Sequence, residues 1–337
     1  MATAKRPRTL GLTGTASGSG VMSGFGKETT TDEVLAGHDL TGLTVFVTGG
    51  NSGLGQETGR AMAARGAEVV LMGRDGAKLD EAASAIRSAH AEAKVETITG
   101  DLGSLASLAE CGVEARARLA KIDLLINNAG VMACPHEHTA DGFERQFGTN
   151  HLGHFALTAH LMPLIAAGTK KRIVNLSSRA HHMGSVDFDD LHFERRAYDP
   201  WVSYGQSKTA NVLFSVELER RYGPRGIHAY AVHPGGINTN LGRHLTPEMS
   251  AALMARVTKS DSGFAWKTIP QGAATSCWAA TAPDLAGQGG VYCEDCHVAA
   301  VDDQSSAGGV RSYALNPDSA ARLWQISEEL TGISYPV

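Results

Sequence analysis

The sequence predicts an α/β fold, a doubly wound, mainly parallel sheet of about seven strands with helices on both faces. Three observations predict it. Short apolar runs rich in Val, Ile and Leu recur at helix-sized intervals, Ala-rich stretches of helical length separate them, and the chemistry-bearing motifs fall just after the apolar runs. Nearly continuous apolar runs suit strands buried on both faces. Right-handed crossovers then set the strand C-terminal ends, and the loops after them, along one edge.

The predicted strands are 43–48, 68–72, 95–99, 122–127, 172–177, 227–232 and 290–293, and the helices between them are 56–65, 77–90, 104–121, 143–165, 204–221 and 271–281. Residues 1–39 read as a flexible tail. It has three early basic residues (Lys5, Arg6, Arg8), then Gly, Ser and Thr with little to bury. Residues 40–337 read as one folded domain that carries the motifs, with 179–203 and 241–270 as segments placed to cover a site on it. A chain of 337 residues with 42% hydrophobic and 19% charged residues can bury the core of one such domain. A net charge of −5 argues against nucleic acid as the main partner. No apolar run reaches the length of a membrane span, so no membrane anchor is expected. Five scattered cysteines and no secretory signal make a reducing, cytoplasmic setting the default.

After the first strand comes Thr48-Gly49-Gly50-Asn51-Ser52-Gly53-Leu54-Gly55, which opens a helix. Its glycines allow a tight turn and close approach of backbone to a pyrophosphate at the helix N-terminus. The run 13–20 has the same spacing but lacks a strand before it and a helix former after it, so it is set aside. Past the second strand comes Gly73-Arg74, where a fold that reads a free ribose 2′-hydroxyl carries an acid. Arginine there pairs with a 2′-phosphate and indicates NADP(H), with Lys78 adding positive potential. After the third strand, Asp101-Leu102 has two readings, a boundary for adenine or a helix N-cap. Asn127-Asn128-Ala129-Gly130 ends the fourth with small residues that let a cofactor lie against the sheet edge. Asn150 sits inside an apolar helical pattern, where a buried amide needs partners. Ser177-Ser178 ends the fifth strand.

Tyr204 is the only one of seven tyrosines with a lysine four residues later, Lys208. On a helix this spacing sets both on one face. A cation there stabilises the phenolate and lowers the tyrosine toward the range of a general acid/base.

Together these residues resemble the short-chain dehydrogenase/reductase family, over about residues 40–332. The resemblance implies a Rossmann-type domain and a catalytic tetrad carried by Asn150, Ser178, Tyr204 and Lys208. The residues alone leave Ser177 and Ser178 open, and the resemblance selects Ser178. It also implies cofactor contacts from Gly49, Asn51, Ser52, Gly53, Leu54, Gly55, Arg74, Asp101, Leu102, Asn128, Ala129, Gly130, Tyr204 and Lys208. His233-Pro234-Gly235-Gly236-Ile237-Asn238-Thr239 looks like the family's loop after the sixth strand, so Pro234, Gly235, Ile237 and Thr239 join them. The stretches 131–135, 150–155 and 292–296 look more narrowly like the retinol-dehydrogenase-like branch. The expected activity is NADP(H)-dependent alcohol–carbonyl interconversion. The rivals are a catalytically silent dinucleotide-binding module and a C=C reductase.

Phe188, Phe193, Tyr198 and Trp201 in one covering segment, with Met249, Leu253, Met254, Phe264 and Trp266 in the other, predict a bulky, largely apolar small-molecule substrate. No arginine cluster marks these segments, which argues against a phosphorylated sugar. A homo-oligomer is left open. No metal is expected. Cys293-x-x-Cys296-His297, His136-x-His138 near Cys134, and His151-x-x-His154 are read as coincidences of spacing. His181 and His182 are read either as lining the substrate mouth or as solvated loop residues.

Overall fold

The computed structural model describes residues 24–260 and 265–336. Residues 1–23, and with them the 13–20 run and most of the expected tail, lie outside these, as does Phe264. The expected tail does not extend to residue 39. Thr31–Val34 forms α1, closed by a reciprocal Thr30–Glu33 capping box, and Thr31, Val34 and Leu35 are buried. Thr31 Oγ1 donates to Glu57 (2.5 Å) and Arg60 pairs with Asp32 (3.0 Å), which fasten this segment to the next helix.

The sheet has strands β1 (Thr44–Thr48), β2 (Glu68–Gly73), β3 (Lys94–Thr99), β4 (Leu124–Asn127), β5 (Arg172–Leu176), β6 (His228–His233), β7 (Val291–Glu294) and β8 (His297–Val298). Their order is β3-β2-β1-β4-β5-β6-β7-β8, parallel except for the β7–β8 hairpin. The seven expected strands each lie within two residues of the observed ones. The eighth was not expected. It follows from Asp295 and Cys296, both at positive φ (46° and 59°), which make the two-residue turn whose twist suits a hairpin. The Cys-x-x-Cys-His spacing is this turn.

Alternation on β1 shows why strand and helix layers form. Val45 and Val47 face a core built with α2 (Gly53–Ala63), α3 (Gly76–Ala89) and α9 (Ile269–Thr281). Phe46, between them, faces a second core with α4 (Leu105–Arg118), α6 (Gly153–Ala167) and α7 (Pro200–Tyr222). Both faces are therefore buried, as the apolar runs require.

The helix expected over 143–165 is broken. It consists of a short α5 (Arg145–Phe147), one wide π turn (Gly148–Leu152) centred on Asn150, and α6. The helix expected from Tyr204 begins four residues earlier, because Asp199 accepts the Trp201 and Val202 amides (2.8 and 2.9 Å) with Pro200 at the first position. Two further helices went unpredicted. α8 (Pro247–Ser260) lies in the second covering segment, and α10 (Pro317–Thr331) packs Trp324 against Phe155 and Phe214 on α6 and α7.

Candidate active site

The loops at the strand C-terminal edge enclose a cavity of about 1280 Å³. At one end lies the glycine loop. Gly49 and Gly53 adopt positive φ (66° and 56°), and a Cβ on Gly49 would meet Ala129 Cα at 3.0 Å. Gly55 does not line the cavity. It packs beneath the loop, where a Cβ would lie 2.3 Å from the Gly49 carbonyl. Asn128 locks this loop to β4, its Nδ2 donating to the Thr48 carbonyl (2.8 Å) and its backbone N–H to Thr48 Oγ1 (2.9 Å). Ser52 caps α2 without a side-chain bond. A glycine cradle and an N-terminus without a side-chain acceptor fit the pyrophosphate of a dinucleotide.

Arg74, at the end of β2, is exposed, lines the cavity, and makes no hydrogen bond or ion pair among the described residues. Its neighbour Asp75 is turned away, pairing with Lys78 (3.0 Å) and capping α3. Asp101 and Leu102 line the same wall. The N-cap of α4 is Ser104, not Asp101, which instead accepts the Gly103 amide (2.9 Å).

Of the four tetrad positions, Ser178, Tyr204 and Lys208 line the cavity and Asn150 lies behind it. The Asn150 side chain is fully used: Oδ1 accepts the Val131 amide (2.8 Å), while Nδ2 donates to the Val131 carbonyl (2.9 Å) and to Ser207 Oγ (2.9 Å). These bonds hold the wide turn open and tie it to α7, one turn beyond Tyr204. The two serines differ in their work. Ser177 Oγ donates to the Lys208 carbonyl (2.8 Å), whereas Ser178 Oγ accepts the Ala180 amide (3.1 Å) and lines the cavity together with Tyr204.

Lys208 Nζ donates to the Leu176 carbonyl (3.0 Å) and lies 5.6 Å from the Tyr204 ring centroid. Burial governs both groups. It pushes the Tyr204 phenol up to about 12, opposed only by the Ser178 hydroxyl, and brings the Lys208 ammonium down to about 7. The expectation that lysine lowers the tyrosine is not met in this structure, where burial sets the direction for both groups.

Past β6, Pro234, Gly235, Ile237 and Thr239 line the cavity, and buried Lys267 pairs with Asp295 (2.5 Å) beside them. From the covering segments, Trp201, Leu253 and Trp266 line it, but Phe188, Phe193, Tyr198, Met249 and Met254 do not. Phe193 and Tyr198 pack edge to face (5.1 Å), and Arg322 stacks over Phe188, so these aromatic residues seat their own loop. No arginine cluster was expected in these segments, yet individual arginines from them reach the cavity. Arg179, Arg243 and Arg256 of these segments, with Arg311, line the cavity. Only Arg179, directly after Ser178, had a local signal in the sequence.

The histidine pairs have separate work. His136 stacks on Tyr198 (4.5 Å), His151 bonds Ser327 (2.8 Å) and His154 bonds Thr48 (2.9 Å). His181 is buried, its ring against the Ser178 carbonyl and the Arg311 amide, while His182 lines the cavity. Among the described residues no helix is long and apolar enough to cross a membrane.

A family model described as short chain dehydrogenase matches residues 43–250. Retinol dehydrogenase 12 of Homo sapiens is 40% identical over 296 residues, covering 88% of this chain and 88% of its own. The short-chain dehydrogenase/reductase prx1 of Penicillium roqueforti is 38% identical over 300 residues, 86% of this chain and 85% of its own. A crystal structure of an uncharacterized protein from Mycobacterium Paratuberculosis superposes with a TM-score of 0.67 at 35% identity, covering 89% of this chain and 97% of its own. With the parallel sheet and glycine loop described above, these matches identify the chain as a member of the short-chain dehydrogenase/reductase family of oxidoreductases, which bind a nicotinamide cofactor, in its retinol-dehydrogenase-like branch.

Proposed function

We propose that the protein interconverts an alcohol and a ketone or aldehyde with NADP(H), on a bulky and largely apolar substrate. The observation that carries this reading is that one cavity is lined both by Arg74 and the glycine loop and by Ser178, Tyr204 and Lys208. Its volume of about 1280 Å³ exceeds that of an ordinary small-molecule pocket, leaving room for a dinucleotide and a second molecule.

A bound nicotinamide supplies or removes the hydride. The chain's residues handle the proton. In the reductive direction the Tyr204 hydroxyl delivers its proton to the substrate oxygen, while Ser178 Oγ hydrogen-bonds that oxygen and orients it. The phenolate left behind is offset by Lys208 in its cationic form. Asn150, through its clamp on Val131 and Ser207, holds the turn behind this pair and belongs to the proton relay that restores it. The preference for NADP(H) is supported by Arg74, whose guanidinium has no acidic partner among the described residues, and by Arg243, which lies near it on the cavity wall. Trp201, Leu253 and Trp266 support an apolar substrate body, as does the name of the human relative, a retinol dehydrogenase. The cavity arginines remove the ground for excluding an anionic group at its far end.

The test is a screen of aromatic, polycyclic and long-chain carbonyls with NADPH and NADH, read at the nicotinamide absorbance. Turnover confined to small polar ketones and sugars, or none with any carbonyl, would contradict the proposal.

A further inference from the structure

One buried histidine has no part in the chemistry above, yet it is bonded directly to the tetrad. His154 does not line the cavity and is 1% exposed. Its Nδ1 lies 2.9 Å from the Asn150 backbone carbonyl and its Nε2 2.9 Å from Thr48 Oγ1. A carbonyl only accepts, so Nδ1 carries the ring proton and Nε2 is bare. Thr48 Oγ1 accepts the backbone N–H groups of Asn128 (2.9 Å) and Ala129 (3.0 Å) and turns its single hydrogen on Nε2. The other acceptor in range, the Ile126 carbonyl, is 3.5 Å away.

The bonds therefore run one way, from Asn128 and Ala129 to Thr48, from Thr48 to His154, and from His154 to Asn150. They join the start of the glycine loop, the end of β4 and the wide turn of the tetrad. Burial holds the ring neutral, bringing His154 down to about 4, and Lys208 and His151 are the titratable groups that bear on it. A protonated Nε2 would meet the Thr48 hydroxyl donor to donor, so the neutral ring is the form that completes the chain.

We propose that His154 is a positioning residue, fixing the Asn150 carbonyl with its Nδ1–H and tying it through Thr48 to the loop that carries the dinucleotide. This rests on the reading of Asn150 as part of the relay behind Tyr204 and Lys208. Asn150 lies one helical turn before His154, but Thr48 could not be found by spacing, since it lies 106 residues away along the chain.

The test uses the full chain, NADPH and a carbonyl compound that the wild type reduces. His154→Phe keeps the bulk of the ring and removes both bonds. Its kcat should fall about tenfold, while the carbonyl KM and the NADPH Kd stay within about twofold. His154→Asn sets an amide N–H near the position of Nδ1. It should recover kcat to within about threefold of wild type, with the pH profile unchanged because His154 does not titrate in the assay range. An unchanged kcat in His154→Phe, equal losses in both variants, or a loss of NADPH affinity matching the loss of kcat would overturn the proposal. Should His154→Phe fail to fold, the kcat ratio of His154→Asn to His154→Leu carries the test, with about tenfold expected and a ratio near one overturning it. Tyr204→Phe, assayed alongside, separates the failures. If it too keeps wild-type turnover, the reading of the tetrad has failed. If it is inactive while His154→Phe is unimpaired, only the positioning role has.

Discussion

Lys208→Met should make the protein more stable near neutrality while abolishing turnover. Burial lowers the Lys208 ammonium from 10.5 to about 7, a difference worth about 5 kcal/mol when both states are protonated. The sign follows from which state binds the proton more tightly. The folded pKa lies below the unfolded one, so between about pH 7 and 10.5 the unfolded chain holds more protons and stability rises with pH. The cost is fully present below pH 7 and fades toward pH 10.5. From pH 6 to pH 9 this group alone should stabilise the wild type by about 2–3 kcal/mol. Methionine fills a similar volume without charge. It gives up the bond to the Leu176 carbonyl, but that oxygen keeps the Asn211 Nδ2 donor (2.9 Å). Allowing about 1 kcal/mol for the lost bond, the variant should be about 2–4 kcal/mol more stable at pH 6 and about 1 kcal/mol more stable at pH 9. Urea unfolding of both proteins at the two pH values measures this directly, because other titrating groups cancel in the difference. A variant less stable than wild type at pH 6, or a difference independent of pH, would refute the reasoning.

Arg74→Ala should weaken NADPH binding roughly ten- to a hundredfold and leave NADH nearly unchanged, since a charged bidentate contact is worth about 1.5–3 kcal/mol. Titration of both cofactors by protein fluorescence checks it, and equal losses for the two would count against a 2′-phosphate contact. Gly55→Ala sets a Cβ 2.3 Å from the Gly49 carbonyl and 2.5 Å from Asn128 Nδ2. Backbone must shift there, so cofactor affinity should fall at least about tenfold and thermal stability should drop as well. Unaltered cofactor affinity in that variant would show that the loop does not carry the pyrophosphate.

Much of the fold was legible because its signals are local. The Val45-Phe46-Val47 alternation, the glycine loop and the small residues after β4 each declare themselves within a few positions. α10 was legible but unread, since Asn316-Pro317 at its start and Gly332 in the left-handed conformation (φ 67°) at its end are ordinary helix boundaries. The wide turn at Asn150 was not legible, because it is set by Val131 and Ser207, on a loop and a helix that only the fold brings near. The same holds for Arg311, which bonds carbonyls of its own loop yet reaches the cavity beside Arg179. The Tyr204–Lys208 spacing reports one shared helix face, with Lys208 Nζ 5.6 Å from the Tyr204 ring centroid, and says nothing of burial. Sequence spacing does not report desolvation, which here sets the direction of both shifts.

The central claim is that Tyr204 carries the proton in a reaction driven from a nicotinamide. The most direct measurement is turnover of Tyr204→Phe with NADPH and a bulky apolar carbonyl, alongside its NADPH Kd. Phenylalanine removes one oxygen from a side chain that is 4% exposed and leaves its packing in place. The account predicts a loss of turnover of at least about a hundredfold, the scale of general acid catalysis, with cofactor affinity kept within about twofold. Near-normal turnover in the variant would contradict it.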